Sequence, residues 1–175
     1  AYLVAELTCD ADIYWSSFFM DVDFGEGGSR KLRFEAPWDF DSGMGNKRRC
    51  IDGKGFYAGN IIPDVNDYEY TTVNPWLAVL MYEEWFQEKI RQKWTAVYDG
   101  GAFDRALAVI RAERSAYAGM FAANDKKWPV NTKNQEVAKE LAPEAVKCKT
   151  QDAASVYLEK WLAARVEFLN DYWHA

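Results

Sequence analysis

One histidine stands among the 175 residues of the chain, His174, next to the last residue. Ser-His-Asp and Cys-His catalysis and His-rich zinc sites all need an imidazole at a structured position. A lone histidine that reads as a solvated terminal residue excludes them. Cysteine is nearly as scarce. Cys9, Cys50 and Cys148 form no C-x-x-C pair, which argues against a zinc knuckle or a thioredoxin-type couple and leaves room for one disulfide. No stretch approaches the roughly 18 to 20 apolar residues of a membrane span. No signal-like apolar run follows Ala1, so the sequence reads as that of a soluble chain. Positive charge is in deficit too, because 21 Lys+Arg against 27 Asp+Glu leave a formal net charge of −6. A nucleic-acid groove normally needs a basic face to displace counterions, so nucleic acid is not an expected partner.

What the sequence has in plenty is aromatic side chains. Ten Phe, ten Tyr and eight Trp make up 16% of a chain that is 49% hydrophobic, enough to build a large core in one domain of this length. Residues 1–73 read as mixed structure. The segment 1–8 has the pattern of a helix end, with Leu3, Val4 and Leu7 on one face. Two alternating runs, 16–23 and 31–36, flank the connector Gly25-Glu26-Gly27-Gly28-Ser29 and predict a β-hairpin, in which Asp21 and Asp23 lie across from Arg33 and Lys31. Pro37 and the glycines Gly43 and Gly45 end the second strand. Residues 46–73 show no clear periodicity and read as a long ordered loop, and loops of that length are usually functional.

Residues 74–175 read as helical. Asn74-Pro75 has the form of a helix start. Leu77, Leu80, Met81, Trp85, Ile90, Trp94 and Val97 recur at helical spacing up to the stop at Asp99-Gly100-Gly101. A further helix is predicted over 103–124, a short one over 135–141 and a last one over 152–173. Trp76, Trp85, Trp94, Trp161 and Trp173 are expected mainly in the core, and Trp15, Tyr57, Tyr68 and Tyr70 under or on the loops.

The hairpin carries a geometric expectation. It brings its outer ends together, so the segment entering it, with Asp10 and Asp12, should lie beside the segment leaving it, with Asp39 and Asp41. Converging carboxylates repel unless protons or a hard cation relieve them, and an oxygen-only donor set points to Mg²⁺, Mn²⁺ or Ca²⁺. Aspartates that only cap turns are an equally weighted reading. Asp21-Val22-Asp23-Phe24-Gly25 fails the EF-hand pattern, and Lys47-Arg48-Arg49 is a basic triplet that reads more readily as a solvated turn than as an anion site.

The run from Tyr2 through Glu6 and Cys9-Asp10-Ala11-Asp12, then Ser17-Phe18-Phe19-Met20, then Leu32 to Trp38-Asp39-Phe40-Asp41, resembles the CotH (spore coat protein H) kinase family. There, an N-E-x-x-x-N-x-D segment leads through a strand pair into W-D-[FY]-D. The resemblance covers essentially the whole chain and the C-terminal part of the family's domain. It implies an α+β, mostly α fold: an N-terminal hairpin region carrying an acidic site, then a helical bundle, like the C-lobe of an atypical protein kinase. By the same resemblance Asp12 is the catalytic aspartate that orients or deprotonates an acceptor hydroxyl. Asp39 or Asp41 is the magnesium aspartate, and Ser17, five residues past Asp12, stands where the family usually has a metal-binding Asn. Asp10 also stands where Asn is common.

The chain's own glycines match neither G-x-G-x-x-G nor a Walker motif. The resemblance therefore implies the catalytic-loop portion of a kinase that uses ATP and Mg²⁺, with Ser17, Asp39 and Asp41 toward metal and nucleotide and a protein hydroxyl as acceptor. The alternative is a catalytically impaired CotH-like binding or structural module of an extracellular, spore-surface or cell-surface protein, with a surface-layer partner.

Overall fold

The computed structural model describes residues 1–10, 17, 19–48, 51–59, 75–129 and 135–175, with the backbone alone for residues 75, 78 and 135–137. Asp12, Trp15, Cys50, Tyr68, Tyr70 and the predicted cap Asn74 lie outside the described residues. In chain order the elements are α1 (Tyr2–Thr8), β1 (Met20–Asp21), β2 (Arg33–Phe34), α2 (Pro75–Leu80), α3 (Glu84–Asp99), α4 (Ala102–Ala116), α5 (Ala118–Lys127), α6 (Gln135–Glu140), α7 (Pro143–Lys147) and α8 (Gln151–Trp173). The described chain is thus mostly helical with one small antiparallel sheet. No described helix is long and apolar enough to cross a membrane.

Local chemistry sets the helix limits. α3 stops at Gly100, whose N–H bonds the Ala96 carbonyl, and Gly101 takes φ 68°, a left-handed conformation that costs glycine little. The helix expected over 103–124 is broken. Tyr117 leaves the helical region at φ −103° and ψ 12°, so α4 and α5 pack as separate rods. α5 ends at Trp128, the residue before Pro129, where the proline ring disfavours helical backbone. Pro143 opens α7, which the polar composition of 128–150 concealed, because proline at a first helical position gives up a donor that has no partner there anyway.

α8 is the axis of the fold and packs against α1, α3, α4, α5 and α7. Its buried stripe is Trp161, Leu162, Arg165, Val166, Leu169 and Trp173, one face at helical spacing. The aromatic surplus converges near its end. Trp94 stacks T-shaped on Trp173 at 5.4 Å and lies 4.7 Å from Phe103, while Tyr2 and Phe56 reach Trp173 at 5.9 and 5.6 Å. The Trp94 indole N–H donates to Asn170 Oδ1 at 3.0 Å, so this buried polar edge is satisfied.

Trp76 and Trp85 depart from expectation, since both are 53% exposed. Phe86, Ile90 and Trp94, four residues apart, form the inward face of α3. Trp85 is one residue, or about 100°, off that face and, among the described residues, stacks on the side of Phe86. Leu77, not Trp76, is the inward residue of α2. His174 is exposed as expected but is tied down, with Nε2 2.8 Å from Asp99 Oδ1 and its ring against Tyr98.

The hairpin forms in the predicted register. Met20 faces Phe34, Asp21 faces Arg33, and the Glu35 N–H donates to the Phe19 carbonyl at 3.0 Å. Its ladder is only two residues long per strand, and most of its side chains are exposed. An isolated bridge, Lys47 to Leu141, ties the segment after the hairpin to the end of α6, and Lys47 Nζ pairs with Glu140 at 2.6 Å.

Candidate functional site

The expected meeting of Asp10 and Asp12 with Asp39 and Asp41 is not what the described residues show; the contact there is between Ser17, before β1, and Asp39, after β2. Ser17 Oγ donates to Asp39 Oδ2 at 3.1 Å across 22 residues of sequence. Further back, the Met44 N–H donates to the Thr8 carbonyl at 2.6 Å, fastening the exit loop to the end of α1. A Cβ on Gly43 would stand 2.7 Å from that same carbonyl, so the close approach depends on glycine there.

Both members of the joined pair hold left-handed backbone, Ser17 at φ 57° and Asp39 at φ 65°. Aspartate tolerates this region better than most residues, and serine less well. Non-glycine residues held there cost roughly 1–3 kcal/mol each and persist where surrounding structure fixes them, often at functional sites. Asp39 and Asp41 are both exposed. They play different parts: Asp39 receives the Ser17 hydroxyl, whereas Asp41 uses its backbone carbonyl to accept the Asn46 amide.

Beside the pair lies a cleft of about 160 Å³, with Asp10 and Ser17 on its polar side and Phe19, Phe34 and Phe40 among its apolar walls. Ligand-sized pockets begin at roughly 300 Å³, so the cleft suits one side chain or one phosphoryl group and not a whole nucleotide. Asp10 is 2% exposed, and its N–H donates to the Ala5 carbonyl.

The Ser17 hydroxyl and the Asp39 carboxylate are oxygen donors of the type that hard cations take. Two neighbouring ligands in an octahedral Mg²⁺ shell, each about 2.0–2.1 Å from the metal, are about 3.0 Å apart. The Ser17 and Asp39 oxygens already stand at 3.1 Å. Among the described residues no three His, Cys, Asp or Glu side chains cluster closely enough to hold a metal, so the convergence expected of the carboxylates is not found for Asp10, Asp39 and Asp41.

Beneath the site lies a buried network that the reading of the residues did not single out. Glu6 and Arg165 are both fully buried and pair at 2.6 Å. Arg165 also donates to the Glu6, Gly53 and Gly55 backbone carbonyls. The Glu6 carboxylate accepts in addition from the N–H groups of Tyr57 and Gly59 and from the Tyr2 hydroxyl. Desolvation pushes the Glu6 carboxyl above the usual glutamate range, against the opposing pull of Arg165 and of these donors. The network joins α1, the 53–59 loop and α8, and so fixes the helix from which the entering segment departs. One signal was present: Glu6 occupies the Glu position of the N-E-x-x-x-N-x-D pattern. Arg165, 159 residues away, had none.

Tyr57 is 2% exposed, packed under its loop. Cys148 is a free thiol. In comparisons with protein-family models, curated proteins and solved structures, the chain matches none of them.

Proposed function

We propose that this chain is the catalytic-loop and metal-side portion of a CotH-like atypical protein kinase, acting in phosphoryl transfer from ATP to a protein hydroxyl. The observation that carries the reading is the Ser17–Asp39 hydrogen bond. It joins the two ends of the hairpin at the spacing of adjacent magnesium ligands. It also favours Asp39 over Asp41 as the metal aspartate.

In this reading Asp12 orients the acceptor hydroxyl and takes its proton. Ser17 and Asp39 hold oxygen ligands toward the metal, and the small apolar cleft seats the side chain beside the acceptor. Magnesium, when bound, offsets the charge of the transferred phosphoryl group. Positioned proton transfer of this kind contributes typically 10²–10⁴-fold.

The test is radiolabelled phosphoryl transfer by the protein that carries this chain, with Mg²⁺ and ATP. Asp12→Ala and Asp39→Ala are expected to lower the rate at least roughly 100-fold, whereas Asp41→Asn retains most of it. Equal loss from Asp39→Asn and Asp41→Asn would remove the assignment of Asp39, and no nucleotide binding by the wild type would remove the kinase reading.

One observation favours the non-catalytic alternative of a surface binding module. Phe19, Phe24 and Trp38, on and beside the hairpin, are 54%, 74% and 64% exposed. Binding of a glycan or peptide that survives Asp39→Ala and is lost with Trp38→Ala would select that alternative.

A further inference from the structure

A second concavity lies away from the hairpin, between α1 and α3, with a volume of about 520 Å³. Its walls are Leu3 and Leu7 of α1, Phe86, Ile90 and Val97 of α3, and Phe103 at the start of α4. Lys89 and Lys93 also line it. They are four residues apart on α3, hence on one side of the helix, and both are exposed. Neither has an ion-pair partner among the described residues. The lining holds no carboxylate. Ala1 lines it as well, and the Tyr2 hydroxyl and the Trp94 indole already donate to Glu6 and Asn170.

We propose that this groove binds a single-chain anionic amphiphile of the fatty-acid type, with the alkyl chain along the α1–α3 walls and the carboxylate at Lys89 and Lys93. Volume and chemistry select this occupant. The concavity falls in the range of small-molecule sites, roughly 300–1,000 Å³. An extended peptide would bring backbone N–H and C=O groups along its whole length to walls that are mostly apolar, which is costly. An alkyl chain has no such groups, and two unpaired ammonium groups beside an apolar trough complement a single anionic head.

Isothermal titration of the chain with octanoate, decanoate and dodecanoate, each below its micelle concentration, tests the proposal. One site is expected, tightening roughly fourfold per added methylene until the groove is full. The Lys89→Gln/Lys93→Gln double variant should weaken decanoate at least tenfold and leave decanol unchanged. Far-UV circular dichroism checks that this exposed double variant stays folded. Affinity independent of chain length, or equal loss for decanoate and decanol, overturns the proposal. So does a dimer in sedimentation that Leu7→Glu dissociates, because a second copy would then occupy the groove.

Discussion

The buried Glu6–Arg165 pair is the residue-scale feature with the clearest consequence for pH. A carboxyl whose value is raised in the folded chain holds its proton better there than in the unfolded chain. Its contribution is therefore full below the ordinary value of 4.5 and is lost as pH rises through the higher folded value. Glu6→Gln removes the titration and keeps the shape. The stability of the wild type relative to Glu6→Gln should be greatest in acid and fall with rising pH, by up to about 1.4 kcal/mol per pH unit between the two values. Urea midpoints from about pH 4 to about pH 8 measure this, and parallel curves for the two proteins would contradict it. The pair was not legible in advance, since a charged residue on a helical stripe looks alike whether it faces solvent or a partner far away in sequence. The Ser17–Asp39 contact was legible only in part: hairpin geometry pointed to Asp10 and Asp12 beside Asp39 and Asp41, and Ser17 entered through the family resemblance alone.

At the scale of elements, α8 is held at its start by two separate acceptors. The Thr150 hydroxyl oxygen accepts from the Ala153 N–H at 3.1 Å, and the Asp125 carboxylate at the end of α5 accepts from the Gln151 N–H, also at 3.1 Å. Each satisfies a first-turn donor that has no partner within the helix. Thr150→Ala should destabilise the protein by about 1 kcal/mol, read as a shift in the chemical-denaturation midpoint, with Thr150→Ser close to wild type. A Thr150→Ser variant as unstable as Thr150→Ala would assign the effect to the lost methyl group instead. Elements bounded by glycine, proline or a polar cap were readable: the stop at Gly100-Gly101, the start of α2 at Pro75, and α8. The break at Tyr117 was not, because the residues before it favour helix and the one glycine nearby, Gly119, is of a kind that helical patterns tolerate. Trp76 and Trp85 misled because hydrophobicity alone does not choose between adjacent positions on a helix. Which one turns inward is decided by the packed stripe of Ile90 and Trp94.

For the whole molecule, the packing around α8 and the exposure of the hairpin predict uneven stability. α8 is covered by five other helices, whereas β1 and β2 share two residue pairs and bury little. Native-state hydrogen exchange should find the amides of residues 162–169 opening only with global unfolding, and those of Met20 and Phe34 exchanging through local opening at far lower free energy. Equal protection in the two regions would show the hairpin to be part of the cooperative core. The overall class, mostly helical with one small sheet, was legible from the change in periodicity near residue 74. The polar lock between the first and last helices was not, because it is written in no local pattern. That lock also orders events during synthesis. Chains emerge from the ribosome N-terminus first, so Glu6 is made long before Arg165, and until α8 is out the carboxylate of α1 has no guanidinium to meet. The first helix and the 53–59 loop must wait, hydrated and loosely held, for a residue translated 159 positions later.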